Sequence, residues 1–289
     1  MPLQTRLWNR IVPAAVLLFL LAPALIADVS TVQETVVGVD HVETVSTWIS
    51  ERSFRSSSSA SALDVLFDRA TGKTFLIVKS DKSFIELPFD ALTAAIPVYE
   101  DFLSHVWGVV AVKRESAGAS NRISGVDCSD QKLQFVVQAD IPGLPNSSMG
   151  VDLTACVAAP GAIDKGPFRD AMKYLFVSKL LLQSAPSGSF KGADYWTESY
   201  RREVFLQSFE SSLADGFIVK ADGNGTQAVR DRDLRHPRVY FEYKELSTST
   251  IPLDVFSVPS GYQRMPTEKA IKYLKTLGLK VKAASLTSD

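Results

Sequence analysis

From Val29 to Ile49, β-branched residues recur with polar residues between them (VSTVQETVVGVDHVETVSTWI), a composition that predicts strands rather than helix. Leu63 to Leu87 is more regular. Three apolar runs, LDVLFD, TFLIVK and SFIELP, are separated by Arg69–Lys73 (RATGK) and by Ser80-Asp81-Lys82. Both separators are tight-turn sequences, so the segment predicts an antiparallel meander. Between these regions, Ser56 to Ser61 (SSSSAS) follows neither period and predicts a solvated loop or an irregular hairpin tip.

The period then lengthens. Leu92, Ile96, Tyr99 and Leu103 are spaced by three or four, which predicts a helix over Asp90–His105. Trp107–Arg114 predicts a strand and Glu115–Ser120 a flexible turn. Ile123–Ala139 and Met149–Ala158 predict extended runs, with IPGLPNSSMG between them as a loop. Phe168–Gln183 is apolar nearly all round, as in a helix buried on more than one side. A second helix is expected over Tyr195–Leu213, with Trp196, Tyr200 and Val204 on one stripe. Phe217–Lys220 and Val239–Leu246 then read as a hairpin around a polar loop. Pro266–Lys280 closes the chain as an amphipathic helix, with Ile271, Leu274 and Leu277 inward and Gly278 at its end. A strand-rich first half, a helical section over 168–215 and a final hairpin and helix predict an α+β domain over residues 28–289.

Residues 1–27 follow a different pattern. Arg6 and Arg10 precede the apolar run Ile11–Leu21, and Ala22, Ala24 and Ala27 come just before the first acidic residue, Asp28. A basic start, an apolar middle and a small-residue exit predict a secretory signal peptide. An uncleaved anchor is the alternative, because the stretch is near the short end of the roughly 17–25 residues that span a bilayer. Pro13, Pro23 and the alanine-rich exit favour cleavage, after Ala24 or Ala27. No cysteine lies near this exit, so lipidation is not expected. The expected product is exported, periplasmic or extracellular, with no membrane span once the signal is removed.

Composition adds little beyond this. Hydrophobic residues make up 46% and charged residues 22% of the 289, an ordinary globular balance with room for a substantial core. A net charge of −1 gives no electrostatic case for nucleic acid. Cys128 and Cys156 are the only cysteines. In an exported chain they are most simply a disulfide, whose loop closure is worth roughly 3–4 kcal/mol, with two buried thiols as the alternative.

The catalytic inventory is thin. His41, His105 and His236 lie far apart in different elements, and no GxSxG, P-loop, dinucleotide fingerprint or HExxH occurs. The best metal pattern is Asp222–Asp233, in which Asp222, Asn224, Thr226 and Asp233 occupy positions 1, 3, 5 and 12 of a calcium loop. Gln227 stands where that loop needs glycine and position 12 lacks its glutamate, so a hairpin turn at Asp-Gly-Asn-Gly is the simpler reading. No metal, cofactor or catalytic residue is therefore assigned. Sequons at Asn146 and Asn224 fall in expected loops.

Four segments carry a family resemblance. They are Trp48–Arg55 (WISERSFR), Asp68 leading into FLIVKSDKSFIELP, Gly125-Val126-Asp127-Cys128, and Val255–Tyr262 (VFSVPSGY). In this order they resemble the secreted family filed as domain of unknown function 4412, related in architecture to LolA-like lipoprotein carriers. The resemblance spans about Val29–Gln263. Asp127 and Phe84 depart from the family pattern, and the 168–215 section is long. The resemblance implies a strongly curved antiparallel sheet, an incomplete barrel with helices covering its concave face, and no catalytic residues. The function expected from all this is a non-enzymatic exported protein whose groove holds a hydrophobic or lipid-like ligand or a protein segment. An envelope structural or interaction protein with a self-filled core is the alternative, and a hydrolase with a dispersed site comes third.

Overall fold

A computed structural model describes residues 28–37, 41–96, 108–141, 144–184, 216–229, 232–235 and 238–286. Among these residues thirteen strands form one sheet. In chain order they are β1 (Val29–Val37), β2 (His41–Ile49), β3 (Ser53–Ser58), β4 (Leu63–Asp68), β5 (Lys73–Val78) and β6 (Ser83–Pro88). The longer strands β7 (Gly108–Ile123), β8 (Val126–Ile141) and β9 (Leu144–Ala158) follow. The set is completed by β10 (Phe217–Val229), β11 (Arg232–Arg235), β12 (Arg238–Ser247) and β13 (Gln263–Arg264). The described helices are α1 (Phe89–Ala95), α2 (Gly166–Asp170), α3 (Met172–Ser184) and α4 (Thr267–Thr276), with 3-10 turns at Leu253–Phe256 and Ala283–Leu286.

The sheet runs β13, β6, β5, β4, β3, β2, β1, β12, β10, β9, β8, β7, with β11 paired to β10 beside that path. Its pairings are antiparallel, apart from the parallel β13 on β6. The path does not return on itself, so the sheet is open. The protein is thus α+β with one large, mainly antiparallel sheet, as its patterning predicts. The meander is β4, β5 and β6, joined at the two expected turns. Asp68 shapes the first: its Oδ1 accepts from the N–H of Ala70 (3.0 Å) and Thr71 (3.2 Å), and its Oδ2 from Thr71 Oγ1 (2.6 Å).

Strand alternation gives the sheet two faces. Cross-strand pairing puts Val29, Ile49, Phe54, Phe67, Leu76, Ile85 and Leu87 on one of them. This helix face packs against Leu92 of α1, Phe176, Val177, Leu180 and Leu181 of α3, and Ala270 and Leu274 of α4 in one buried cluster. Phe54, Phe67, Phe89 and Tyr174 stack at its end, with ring centroids 4.9–6.2 Å apart. Buried residues lie all round α3, as its sequence predicts. α4 begins at Thr267 and is capped at Leu277 within the expected span.

Several expectations are corrected. The serine run is split: Ser56–Ser58 belong to β3, which is paired on both sides, and only Ser59–Ser61 lie in the hairpin connection to β4. Glu115–Ser120 is a register shift inside β7, with Gly118 at φ +78°, rather than a turn between elements. IPGLPNSSMG is mostly strand, because β8 continues to Ile141 and β9 starts at Leu144. Both sequons therefore lie in strands, Asn146 in β9 and Asn224 in β10. The polar stretch after Lys220 is also strand, with β10 running on to Val229. Of the expected Asp90–His105 helix, Phe89–Ala95 is observed and it ends there, with Ile96 already extended; residues 97–105 and the Tyr195–Leu213 helix lie outside the described residues.

Candidate functional site

The helix face changes character along β1, β2 and β3. One end is the apolar row Val29, Ile49 and Phe54. The next row is Thr31, Thr47 and Ser56, all buried, with the Thr47 and Ser56 hydroxyls 3.4 Å apart. Beyond it come Gln33, Val45 and Ser58, and then Thr35 opposite Glu43. Glu43 is only 4% exposed. Its Oε1 accepts a hydrogen bond from Ser58 Oγ, which itself accepts from the Ala60 N–H (3.0 Å). No cation pairs with Glu43 among the described residues. A carboxylate has about four lone-pair sites, and one hydroxyl donor fills one of them. Burying such a group without a counter-charge is costly. The arrangement is a buried polar patch, a carboxylate held by one hydroxyl beside the Thr47–Ser56 pair, on the same face as the apolar row.

The opposite face holds two charged networks. In the first, Asp64 has a side chain 8% exposed and pairs with Arg55 (2.9 Å), Lys79 (3.3 Å) and Ser57 Oγ (2.6 Å). Arg55 also donates to the Val255 carbonyl (2.9 Å) and lies 6.0 Å from the Trp48 ring. Trp48–Arg55 and Val255–Tyr262, the first and last of the resembling segments, therefore meet at Arg55. Every charge in this network is paired inside the protein, which is the arrangement of a structural clamp.

The second network crosses β1, β12 and β10. Glu34 and Glu242 are directly opposed, and two like charges in that position repel. Lys244 lies 3.7 Å from Glu34 and 3.1 Å from Glu242, and Lys220 lies 3.1 Å from Glu242. The Tyr240 hydroxyl is 3.2 Å from Glu34 and 3.0 Å from Glu242. Burial pushes the Glu242 carboxyl up, but hydrogen bonds from Lys220, Lys244 and Tyr240 outweigh it and hold the group below its usual range. Burial and the neighbouring Glu242 and Glu34 carboxylates push the Tyr240 phenol well above its ordinary value.

Cys128 and Cys156 form the disulfide that the sequence predicts. Cys128 on β8 is opposite Ala158, and Cys156 on β9 is opposite Asp130, so the bond runs diagonally between neighbouring strands with its Cα atoms 5.3 Å apart. Around it pack Ala158, Ile163 and Val219, with Phe168, Phe217 and Tyr243 at their side. It is a staple inside a small apolar cluster.

Among the described residues the remaining candidates do not converge. His41 opens β2, while His105 and His236 lie outside the described residues. Asp222, Asn224 and Thr226 are alternate residues of an extended strand, and Asp233 belongs to β11. An extended chain cannot wrap these groups about one ion, so the calcium pattern is coincidental. Gly223 is needed for another reason: a Cβ there would lie 2.0 Å from the Asp152 carbonyl oxygen. No group of three or more His, Cys, Asp or Glu among the described residues is placed to hold a metal. No described helix is long and apolar enough to cross a membrane. The chain matches no protein-family model and no curated protein.

Sequence reasoning missed the buried polar patch. Its signal was Glu43, Thr47, Ser56 and Ser58 at spacings that put them on one face once β2 and β3 pair, which the low complexity of SSSSAS conceals.

Proposed function

We propose that this is a non-enzymatic exported binding protein in which the helix face of the sheet holds a hydrophobic or lipid-like ligand, or a protein segment. The buried polar patch around Glu43 meets the polar end of that ligand. The observation that carries this reading is the buried Glu43 carboxylate, hydrogen-bonded by Ser58, unpaired by any described cation and on the same sheet face as the apolar row. Small-molecule sites combine an apolar lining with a few polar groups in this way. The open, helix-covered sheet supports the resemblance to the domain of unknown function 4412 family and to LolA-like carriers, in which the concave face of a half-barrel holds acyl chains. The N-terminal signal pattern and the disulfide support export to an oxidising compartment, periplasmic or extracellular.

One observation favours a second reading. α3 already fills the apolar end of the helix face with Phe176, Val177, Leu180 and Leu181, each fully buried. A self-filled core of that kind suits an envelope structural or interaction protein without a small ligand. Titration with a fluorescent fatty acid separates the two. The binding reading expects saturable uptake that unlabelled fatty acid reverses and that Glu43→Gln alters. Absence of saturable uptake favours the self-filled protein.

A further inference from the structure

Charge is segregated in α4 and the segment after it. Between Arg264 and Leu286 there are six cations, Arg264, Lys269, Lys272, Lys275, Lys280 and Lys282, and one carboxylate, Glu268. That stretch carries +5 in a chain whose total is −1, so the rest of the chain carries −6. All six cations are exposed. Lys269 is held by Asp81 at 2.8 Å, and Arg264 lies 3.9 Å from Glu86. Among the described residues, Lys272, Lys275, Lys280 and Lys282 have no ion pair. The helical period explains the arrangement. Lys269, Lys272 and Lys275, three apart, follow one stripe of α4, while Ala270, Leu274 and Leu277 are buried on the other side. Gly278, at φ +76°, then turns the chain, and the Leu279 N–H donates back to the Leu274 carbonyl (2.9 Å). Leu279 is buried, with Lys280 and Lys282 exposed beyond it.

A solvated surface ordinarily mixes both signs of charge. The helix dipole favours a cation only in the last turn, which here is Lys275. Neither accounts for four unpaired lysines with so little acid among them. The apolar side of α4 is already spent in the core, so its outer face offers charge without an apolar anchor. Five of the six cations are lysines. A guanidinium makes directed, bidentate bonds, and protein–protein interfaces accordingly favour Arg and aromatic residues over Lys. An ammonium is a hydrated point charge on a flexible stem, which suits a diffuse layer of negative charge. An anionic lipid surface is such a layer, and it attracts clustered lysines over a Debye length, roughly 8 Å at physiological salt.

We propose that this lysine face docks the protein on an anionic lipid surface, reversibly and without insertion. The proposal does not depend on any ligand of the helix face. The test is co-sedimentation of the full chain with phosphatidylcholine vesicles, with and without phosphatidylglycerol. Binding to phosphatidylcholine alone measures what the apolar residues near the N-terminus contribute. The expected result is a preference for the anionic vesicles that added salt weakens. A lysine near such a surface is worth about fivefold in partition, so Lys272→Gln with Lys275→Gln lowers the excess about 25-fold. Adding Lys280→Gln and Lys282→Gln lowers it again. These side chains are exposed and glutamine is a comparable helix former, so the variants keep the original melting temperature. Lys113→Gln with Lys132→Gln removes the same charge from exposed positions on β7 and β8, at the other end of the strand order, and leaves partition unchanged. Equal losses in the two double variants would show that overall charge attracts the lipid, and would overturn the proposal. Equal binding to both kinds of vesicle overturns it as well. Binding of polyglutamate without binding of anionic vesicles assigns the face to an acidic protein and also overturns it.

Discussion

The β4–β6 meander and the far end of β1–β3 lie on the same face of one sheet, yet they are built by opposite rules. In the meander, Phe67, Leu76, Ile85 and Leu87 meet helices that fill the space beside them. Beyond Thr47 and Ser56, the same face buries hydroxyls and a carboxylate. Close-packed apolar side chains gain free energy from leaving water, whereas buried polar groups lose hydration and recover it only through good partners. The filled region is what holds the fold together. The polar region costs stability, and a feature of that kind persists most readily where it serves binding.

This contrast can be broken by mutation. Phe67→Ala removes a fully buried ring from the aromatic stack, so urea unfolding should show a loss of about 3–5 kcal/mol. A loss below about 1 kcal/mol would mean that the meander does not anchor the fold. Replacing Cys128 and Cys156 with serine should cost roughly 3–4 kcal/mol by the loop-closure argument. That loss should leave fatty-acid affinity unchanged, because the staple belongs to another cluster.

Ser58→Ala is the sharper probe. It strips Glu43 of the one donor found among the described residues and should cost about 1–3 kcal/mol in the unliganded protein. A neutral or stabilising result would show that Glu43 does not rely on Ser58. The smallest effect is expected at Glu242. Its folded carboxyl lies below the ordinary 4.5, so its contribution is present above that pH and is lost as the pH falls through the lowered value. Glu242→Gln should flatten that acid arm in a plot of unfolding free energy against pH. An unchanged arm would mean that the lysine and tyrosine hydrogen bonds do not hold the charge.

The meander was readable because its apolar runs are long and its turns contain Asp, Gly and Ser where tight turns need them. α4 was readable for similar reasons, with spacing inside and Pro and Gly at the ends. The staple followed from two cysteines and an address. Elsewhere local chemistry misled. Asp-Gly-Asn-Gly looks like a turn, but Gly223 is there because β9 passes too close for a side chain. The serines of β3 have weak strand preference, and their burial is decided by neighbours far away in sequence: Glu43 and Thr47 on one side, Asp64 and Val65 on the other. Register between strands fixes which residues share a face, and no single segment encodes it. The buried polar patch was therefore invisible until the strands were paired.

The most direct test is native mass spectrometry of the protein purified from its own envelope, before and after unfolding in the spectrometer. A chain that carries a lipid-sized or peptide-sized mass, released on unfolding and diminished in Glu43→Gln, is the predicted result. A bare chain mass that takes up no fatty acid on incubation would contradict it.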